Sequence, residues 1–125
     1  MNNNKRPIHL ALYQIKLPLS GWVSILHRVS GLLLFLALPL LLLMLQYSLR
    51  SIATYTQLME VLNHPLVKLI LIVLLWAGLH HLCAGIRYLA LDLGIGLSLK
   101  NSRTSSKWVL GVSLVLTVLI GVISW

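Results

Sequence analysis

Three long apolar stretches dominate the pattern of hydrophobic and polar positions along the chain, at about residues 22–49, 66–91 and 108–125. Each is close to or above the roughly 20 residues that a helix needs to cross a hydrocarbon core about 30 Å thick. The apolar positions do not alternate with a period of two, so these stretches predict helices rather than strands. The pattern therefore predicts an all-α, three-transmembrane-helix bundle, with residues 1–125 forming a single membrane-anchor domain.

Two polar segments separate the predicted spans. Residues 51–65 predict a short loop, in which Asn63, His64 and Pro65 are suited to stop the chain before the next helix begins. The segment from Lys100 to Lys107 is rich in serine, arginine and lysine, which is typical of a linker.

Composition excludes a soluble enzyme. Hydrophobic residues make up 58% of the chain and charged residues only 10%, and the mean hydropathy is +0.92. A soluble domain has about 25% charged residues and too little interior to enclose so much apolar surface. The 10 Lys and Arg against 2 Asp and Glu give a formal net charge of +8. In a membrane protein this excess indicates contact with anionic lipid headgroups rather than with nucleic acid.

The basic residues are distributed unevenly, and such an asymmetry predicts orientation. Only Arg50 and Lys68 lie between the first and second spans. The other basic residues lie around the start of the first span, or follow the second, and they are Lys5, Arg6, Lys16, Arg28, Arg87, Lys100, Arg103 and Lys107. We therefore expect the N-terminus to face the cytoplasm, with Trp22, Trp108 and Trp125 near the membrane interfaces.

A first polar cluster lies at the start of the first span. Ser24, His27, Arg28 and Gly31 are spaced i, i+3, i+4 and i+7, so a hydroxyl, an imidazole and a guanidinium share one helix face. Ionisable groups within a membrane favour a functional interpretation, here the binding of a polar ligand. The alternative is structural: Arg28 extends to the headgroups and Ser24 caps the helix.

A second polar cluster surrounds His81 in the second span. His81 lies six residues before Arg87 and hence about 9 Å deeper in the membrane. Gly78 and Gly85, at i−3 and i+4, remove side chains above and below the imidazole, which suits an axial haem ligand. Alternatively, the glycines serve helix packing and the histidine bonds a neighbouring helix. His80 diverges from His81 by about 100°, so at most one of them binds a given iron.

Two features bear on the composition of such a site. If the iron is six-coordinate, its second ligand must come from another chain, because His27 is too near the surface. The single cysteine, Cys83, lies in an apolar run without zinc-site spacing and is interpreted as a small packing residue.

The residues that carry these clusters resemble a known family. Residues 24–31 read S-I-L-H-R-V-S-G, and residues 81–92 follow the pattern H-x-x-x-G-I-R-Y-x-x-x-D. Both are similar to signatures of the cytochrome b membrane-anchor subunit of succinate dehydrogenase, the succinate:quinone oxidoreductase also called respiratory complex II. The Arg6-Pro7 pair, the three helices and the chain length are similar as well.

The resemblance implies roles for individual residues. His81 matches the axial ligand of a haem b whose other axial histidine belongs to a second anchor subunit. Ser24 and Arg28 match residues of the ubiquinone site, and Arg28 and His27 match positions near the haem propionates. Bacterial members often have histidine at the position of Tyr88, which is therefore left out of the site. Two further motif residues, Arg87 and Asp92, are expected to be structural, with Asp92 pairing with a basic residue.

The implied function is that of an anchor subunit of an enzyme. It helps to bind haem b and ubiquinone, and passes electrons from succinate oxidation to quinone in the citric acid cycle and respiratory chain. This chain has no dinucleotide fingerprint and no cysteine set for iron–sulfur clusters, so a flavoprotein and an iron–sulfur subunit must supply the dehydrogenase chemistry. We expect a bacterial inner membrane location, since no Arg- and Ser-rich presequence is visible. The alternatives are a fumarate reductase anchor and a cofactor-free structural anchor.

Overall fold

The computed structural model describes residues 17–124, which form four helices and no strand. In chain order these are α1 Leu19–Ser48, α2 Ile52–Asn63, α3 Pro65–Asp92 and α4 Leu99–Ser124. Helices α1, α3 and α4 are long and apolar enough to cross a membrane, which confirms the all-α architecture with three spans. Several residues singled out above lie outside the described part of the chain: Lys5, Arg6, Pro7, Lys16 and Trp125.

The predicted loop over residues 51–65 is wrong, because most of it forms helix α2. Ser51 and Thr54 form a capping box: the Thr54 backbone N–H donates to Ser51 Oγ at 3.2 Å, and the Ser51 N–H donates to Thr54 Oγ1 at 3.0 Å. The predicted chain break is correct, since α2 ends at Asn63 and Pro65 occupies the first turn of α3. None of the residues of α2 is buried, so the helix lies on the surface of the bundle.

The predicted linker from Lys100 to Lys107 is also helical, as the first turns of α4. Its serines are compatible with a helix because their hydroxyls bond the helix's own carbonyls. Ser105 Oγ donates to the Ser102 carbonyl at 3.1 Å, and Ser106 Oγ donates to the same carbonyl at 2.8 Å.

The turn between α3 and α4 depends on glycine. Gly94 has φ +81, and its N–H donates to the Leu91 carbonyl, while the N–H of Ile95 donates to the Ala90 carbonyl. This pair of bonds is a Schellman motif, which requires a left-handed residue at the position of Gly94. Gly96 also has a positive φ, of +79. The tight turn holds the start of α4 beside the end of α3.

Helix α3 is central, with α1 and α4 packed against it. The buried positions recur at helical spacing and are mostly small: Val23, Ser30 and Ala37 on α1, Ala77, His80, Ala84 and Arg87 on α3, and Ser106, Val109, Ser113 and Thr117 on α4. Small residues let helix backbones approach closely in a membrane. Cys83 packs on a cluster of Val23, Ala84 and Val109, in agreement with its expected packing role.

Candidate functional site

The packing of α1 on α3 joins the two polar clusters. The imidazole of His27, on α1, stacks on that of His81, on α3, with ring centroids 4.2 Å apart and planes inclined by 10°. The first cluster lies near the start of α1 and the second near the end of α3. The two helices run antiparallel, so these ends lie side by side. A contact between residues 54 positions apart therefore forms one composite site.

One nitrogen of His81 is fixed by α1. His81 Nδ1 lies 3.1 Å from the backbone carbonyl oxygen of His27 and 3.3 Å from Ser30 Oγ. A carbonyl only accepts hydrogen bonds, and Ser30 Oγ itself donates to the His27 carbonyl at 2.9 Å. Nδ1 therefore carries the proton and donates, so the lone pair of the neutral ring is on Nε2.

The other nitrogen of His81 is available. The hydrogen bonds of this ring within residues 17–124 all involve Nδ1, which leaves Nε2 without a partner there, and the side chain is only partly buried. A neutral imidazole with its N–H bonded to a backbone carbonyl and its second nitrogen free is the arrangement that a metal-binding histidine adopts. By this test His81 fits a haem iron.

Two residues that the sequence analysis assigned no role position this ring. A Cβ added at Gly31 would lie 2.9 Å from His81 Cε1, so only glycine lets the imidazole reach α1 at this point. Ser30 is 1% exposed and bridges the His27 carbonyl and His81 Nδ1. Both residues belong to the S-I-L-H-R-V-S-G motif, which is the one signal in the sequence that points to them.

The glycines of α3 lie next to side chains of α1, and Gly78 also lines an open groove between the two helices. A Cβ at Gly85 would lie 3.8 Å from His27 Nε2, and one at Gly78 would lie 3.9 Å from Leu34 Cδ2. Their contacts match the helix-packing alternative. His81 satisfies both interpretations, because Nδ1 bonds the neighbouring helix while Nε2 stays free.

His80 occupies a different environment from its neighbour. It is fully buried, stacks on Trp76 with centroids 5.2 Å apart, and neither ring nitrogen has a hydrogen-bond partner within residues 17–124. Because the ring is enclosed within the chain itself, an iron held between this chain and another is out of its reach. Of the adjacent pair, His81 is the candidate ligand.

Ser24 lies three residues before His27 on α1, and Arg28 directly follows His27. Ser24 is half-buried and Arg28 is exposed, and neither side chain makes a hydrogen bond within residues 17–124. Helix α1 begins at Leu19 with Pro18 as its N-cap, so Ser24 is inside the helix and does not cap it. A groove of about 580 Å³ beside Lys68 and Gly121 lies at the other end of α3 and α4 and includes neither residue.

The remaining motif residues lie between His81 and the end of α3. Tyr88 lies against His27, with ring centroids 5.2 Å apart, and its buried hydroxyl has no partner within the described residues. Arg87 is 7% exposed and donates to Ser102 and Ser105, so it joins α3 to α4, as expected of a structural residue. Asp92 is exposed, and its expected ion pair with a basic residue does not form within residues 17–124.

Known proteins match nearly the whole chain. The family model "Succinate dehydrogenase/Fumarate reductase transmembrane subunit" matches residues 2–120. Relatives named succinate dehydrogenase cytochrome b556 subunit include one from Coxiella burnetii, 40% identical over 98% of this chain and 99% of the relative. Others come from Rickettsia felis, 36% identical over 95% and 93%, and Paracoccus denitrificans, 32% identical over 95% and 92%.

These matches confirm the resemblance that rested on the two motifs. Bacterial relatives and three apolar helices agree with a multi-pass protein of a bacterial inner membrane. Since the family model spans most of the chain and the relatives align from end to end, the chain belongs to the family of succinate dehydrogenase and fumarate reductase transmembrane subunits.

Proposed function

We propose that this chain is the cytochrome b anchor subunit of a succinate:ubiquinone oxidoreductase, a single membrane-anchor domain with its N-terminus in the cytoplasm. The observation that carries the proposal is the state of His81. One nitrogen is fixed by the His27 carbonyl and the other is free at a partly exposed site. The names of the relatives support the same assignment.

His81 would hold the iron of haem b through Nε2. Haem b, when bound, supplies a one-electron carrier between the iron–sulfur subunit and quinone. The His27 carbonyl keeps the proton on Nδ1, and the stacked His27 ring fixes the plane of the imidazole. Arg28 and His27 would provide donors for the haem propionates, since buried carboxylates need charge-assisted hydrogen bonds.

A second anchor subunit would supply the other histidine for this haem. His27 lies flat against His81, and His80 is enclosed in the bundle, so neither is placed to serve as that histidine. His64 lies at the other end of α3, as its N-cap. A haem shared between two chains is therefore the arrangement that the described histidines support.

Ser24 and Arg28 bind ubiquinone. Their side chains are free of hydrogen bonds within the described residues and are one helical turn apart. The Ser24 hydroxyl donates to a quinone carbonyl, and the positive charge of Arg28 stabilises the negative charge that develops on that oxygen as electrons arrive. Two electrons and two protons convert the quinone to quinol, with the protons taken from water at the membrane surface.

The dehydrogenase chemistry belongs to partner subunits, a flavoprotein that oxidises succinate and an iron–sulfur protein that carries electrons to the membrane. Large apolar side chains on α1, such as Phe35, Leu40 and Leu43, are exposed in the isolated chain and would be covered by lipid and by the second anchor subunit. The matching family also includes fumarate reductase subunits, but the relatives given above carry the succinate dehydrogenase name.

The quinone assignment is tested by comparing two activities of the assembled complex. Ser24→Ala and Arg28→Leu should each lower succinate-driven ubiquinone reduction at least about tenfold, because each removes a group that stabilises the reacting oxygen. Reduction of an artificial dye by the soluble subunits should be unchanged. Arg50→Leu, the same substitution at the other end of α1, is the matched control and should retain both activities. Unchanged quinone reduction in both variants would refute the assignment.

A further inference from the structure

Arg87 carries a charge that this chain does not neutralise. Its side chain is 7% exposed, and its three hydrogen bonds all go to neutral groups: Nε to Ser105 Oγ at 2.9 Å, and Nη2 to Ser102 Oγ at 3.0 Å and to the Ser102 carbonyl at 3.3 Å. The guanidinium also lies 5.2 Å from the centre of the Tyr88 ring. These contacts satisfy donors but leave the positive charge in place.

No acidic side chain of the chain is available to pair with it. The sequence has 2 acidic residues. Glu60 is in α2, beyond the opposite ends of the spanning helices, and Asp92 is exposed without an ion pair in the described part of the chain. A buried, unpaired charge at a membrane is strongly unfavourable, so an anion from outside the chain is expected beside Arg87.

Arg87 lies in the wall of an open groove between α3 and α4, with a volume of about 440 Å³. The lining of the groove is mixed. Asn101, Thr104 and Ser105 supply polar atoms, and Ile86, Leu91 and Trp108 supply apolar surface. The third guanidinium nitrogen, Nη1, has no hydrogen-bond partner within residues 17–124. The groove therefore offers a cationic donor next to a surface suited to a hydrocarbon chain.

The surroundings of the groove favour an anion held at a membrane surface. Lys100, Arg103 and Lys107 are exposed and spaced i, i+3 and i+7, which forms a basic stripe next to the groove-lining face of α4. Trp108 is 68% exposed at the groove, as is typical of an interfacial aromatic residue. Exposed basic residues next to a membrane-spanning helix attract anionic lipid headgroups.

We propose that the groove between the end of α3 and the start of α4 binds an anionic phospholipid. The lipid phosphate accepts hydrogen bonds from Arg87, whose fork of donors matches phosphate oxygens, and an acyl chain lies along Ile86 and Leu91. The basic stripe of Lys100, Arg103 and Lys107 adds affinity for the negative headgroup. This site is separate from the His81 and Ser24 cluster and does not depend on haem or quinone.

The test uses the assembled complex in phosphatidylcholine nanodiscs, with phosphatidylglycerol as the probe lipid and native mass spectrometry to count bound lipid. Arg87→Gln should weaken phosphatidylglycerol binding about tenfold. Because this variant also loses contacts to α4, a second variant is needed. Ala90→Phe keeps every charge and fills the groove, and should weaken binding to a similar extent. Arg50→Gln removes the same charge far from the groove and should change binding less than about twofold.

Three outcomes would overturn the proposal. The first is wild-type phosphatidylglycerol binding in both Arg87→Gln and Ala90→Phe. The second is displacement of the lipid by inorganic phosphate together with wild-type lipid binding in Ala90→Phe, which would assign the groove to a free anion. The third is unchanged lipid binding combined with loss of the iron–sulfur subunit from Arg87→Gln, which would assign the anion to an acidic side chain of a partner.

Discussion

His81 is held from several directions by residues of α1, and these contacts govern the properties of the site. The His27 carbonyl fixes Nδ1, the His27 ring covers one face of the imidazole, and Gly31 allows the ring edge to approach the helix. Nε2 is left as the one ring nitrogen without a hydrogen bond within residues 17–124. The geometry of the proposed iron ligand is thus set by a helix that is distant in sequence.

Gly31→Ala tests this support. The added Cβ would lie 2.9 Å from His81 Cε1, so the ring or the helix must shift, at a cost of about 1–3 kcal/mol. We expect a lower haem content and a changed absorption spectrum of the complex. Gly111→Ala is the matched control, since its Cβ would meet nothing within 4 Å. Equal spectra for the two variants would contradict the proposed contact between Gly31 and the ligand.

The sequence points to the candidate residues, but it does not show which neighbours hold them in place. His81, His27, Ser24 and Arg28 follow from motif spacing, because polar side chains are rare in an apolar run. The role of Gly31 depends on how closely α1 and α3 cross, and spacing along one helix carries no information about the opposite helix.

At the scale of elements, the spanning helices follow from apolar length alone, whereas α2 and the start of α4 do not. Helix α2 is short and has no buried residue, and its start depends on the local capping box of Ser51 and Thr54. The polar segment at the start of α4 resembles a linker in composition. It is helical because Ser105 and Ser106 bond their own backbone and because Arg87 reaches across from α3.

The turn that joins α3 to α4 yields a prediction at this scale. Gly94→Ala places a side chain at φ +81 and should destabilise the complex by about 1–2 kcal/mol, lowering its thermal unfolding temperature. Gly121→Ala, inside α4 with open space around it, should leave that temperature unchanged or raise it slightly. A Gly94→Ala complex as stable as the wild type would show that the left-handed turn is not required.

At the scale of the whole molecule, three antiparallel spans place the start of α1 and the end of α4 on opposite sides of the bundle. The proposed site lies at the end where α1 begins and α3 ends, next to most of the basic residues. If that end faces the cytoplasm, quinone is reduced where an iron–sulfur subunit docks and where protons are available. The distribution of basic residues, which predicts the orientation of the helices, therefore also predicts the side of the membrane on which quinone is reduced.

Reporter fusions test the orientation. Alkaline phosphatase is active only outside the cytoplasm, where its disulfides form. We expect activity when it is fused after Trp125 and none when it is fused after Leu97, in the connection between α3 and α4. The reverse pattern would place the proposed quinone site on the far side of the membrane and contradict the account of electron delivery.

The measurement that tests the central claim most directly is the reduced-minus-oxidised absorption spectrum of the assembled complex carrying His81→Ala, compared with His80→Leu. The two histidines are adjacent, but only His81 has an accessible free nitrogen, while His80 is fully buried without hydrogen bonds in the described part of the chain. We predict that the b-type signal is lost in His81→Ala and retained in His80→Leu. A full b-type signal in an assembled His81→Ala complex, or its loss in His80→Leu alone, would contradict the assignment of His81 as the iron ligand.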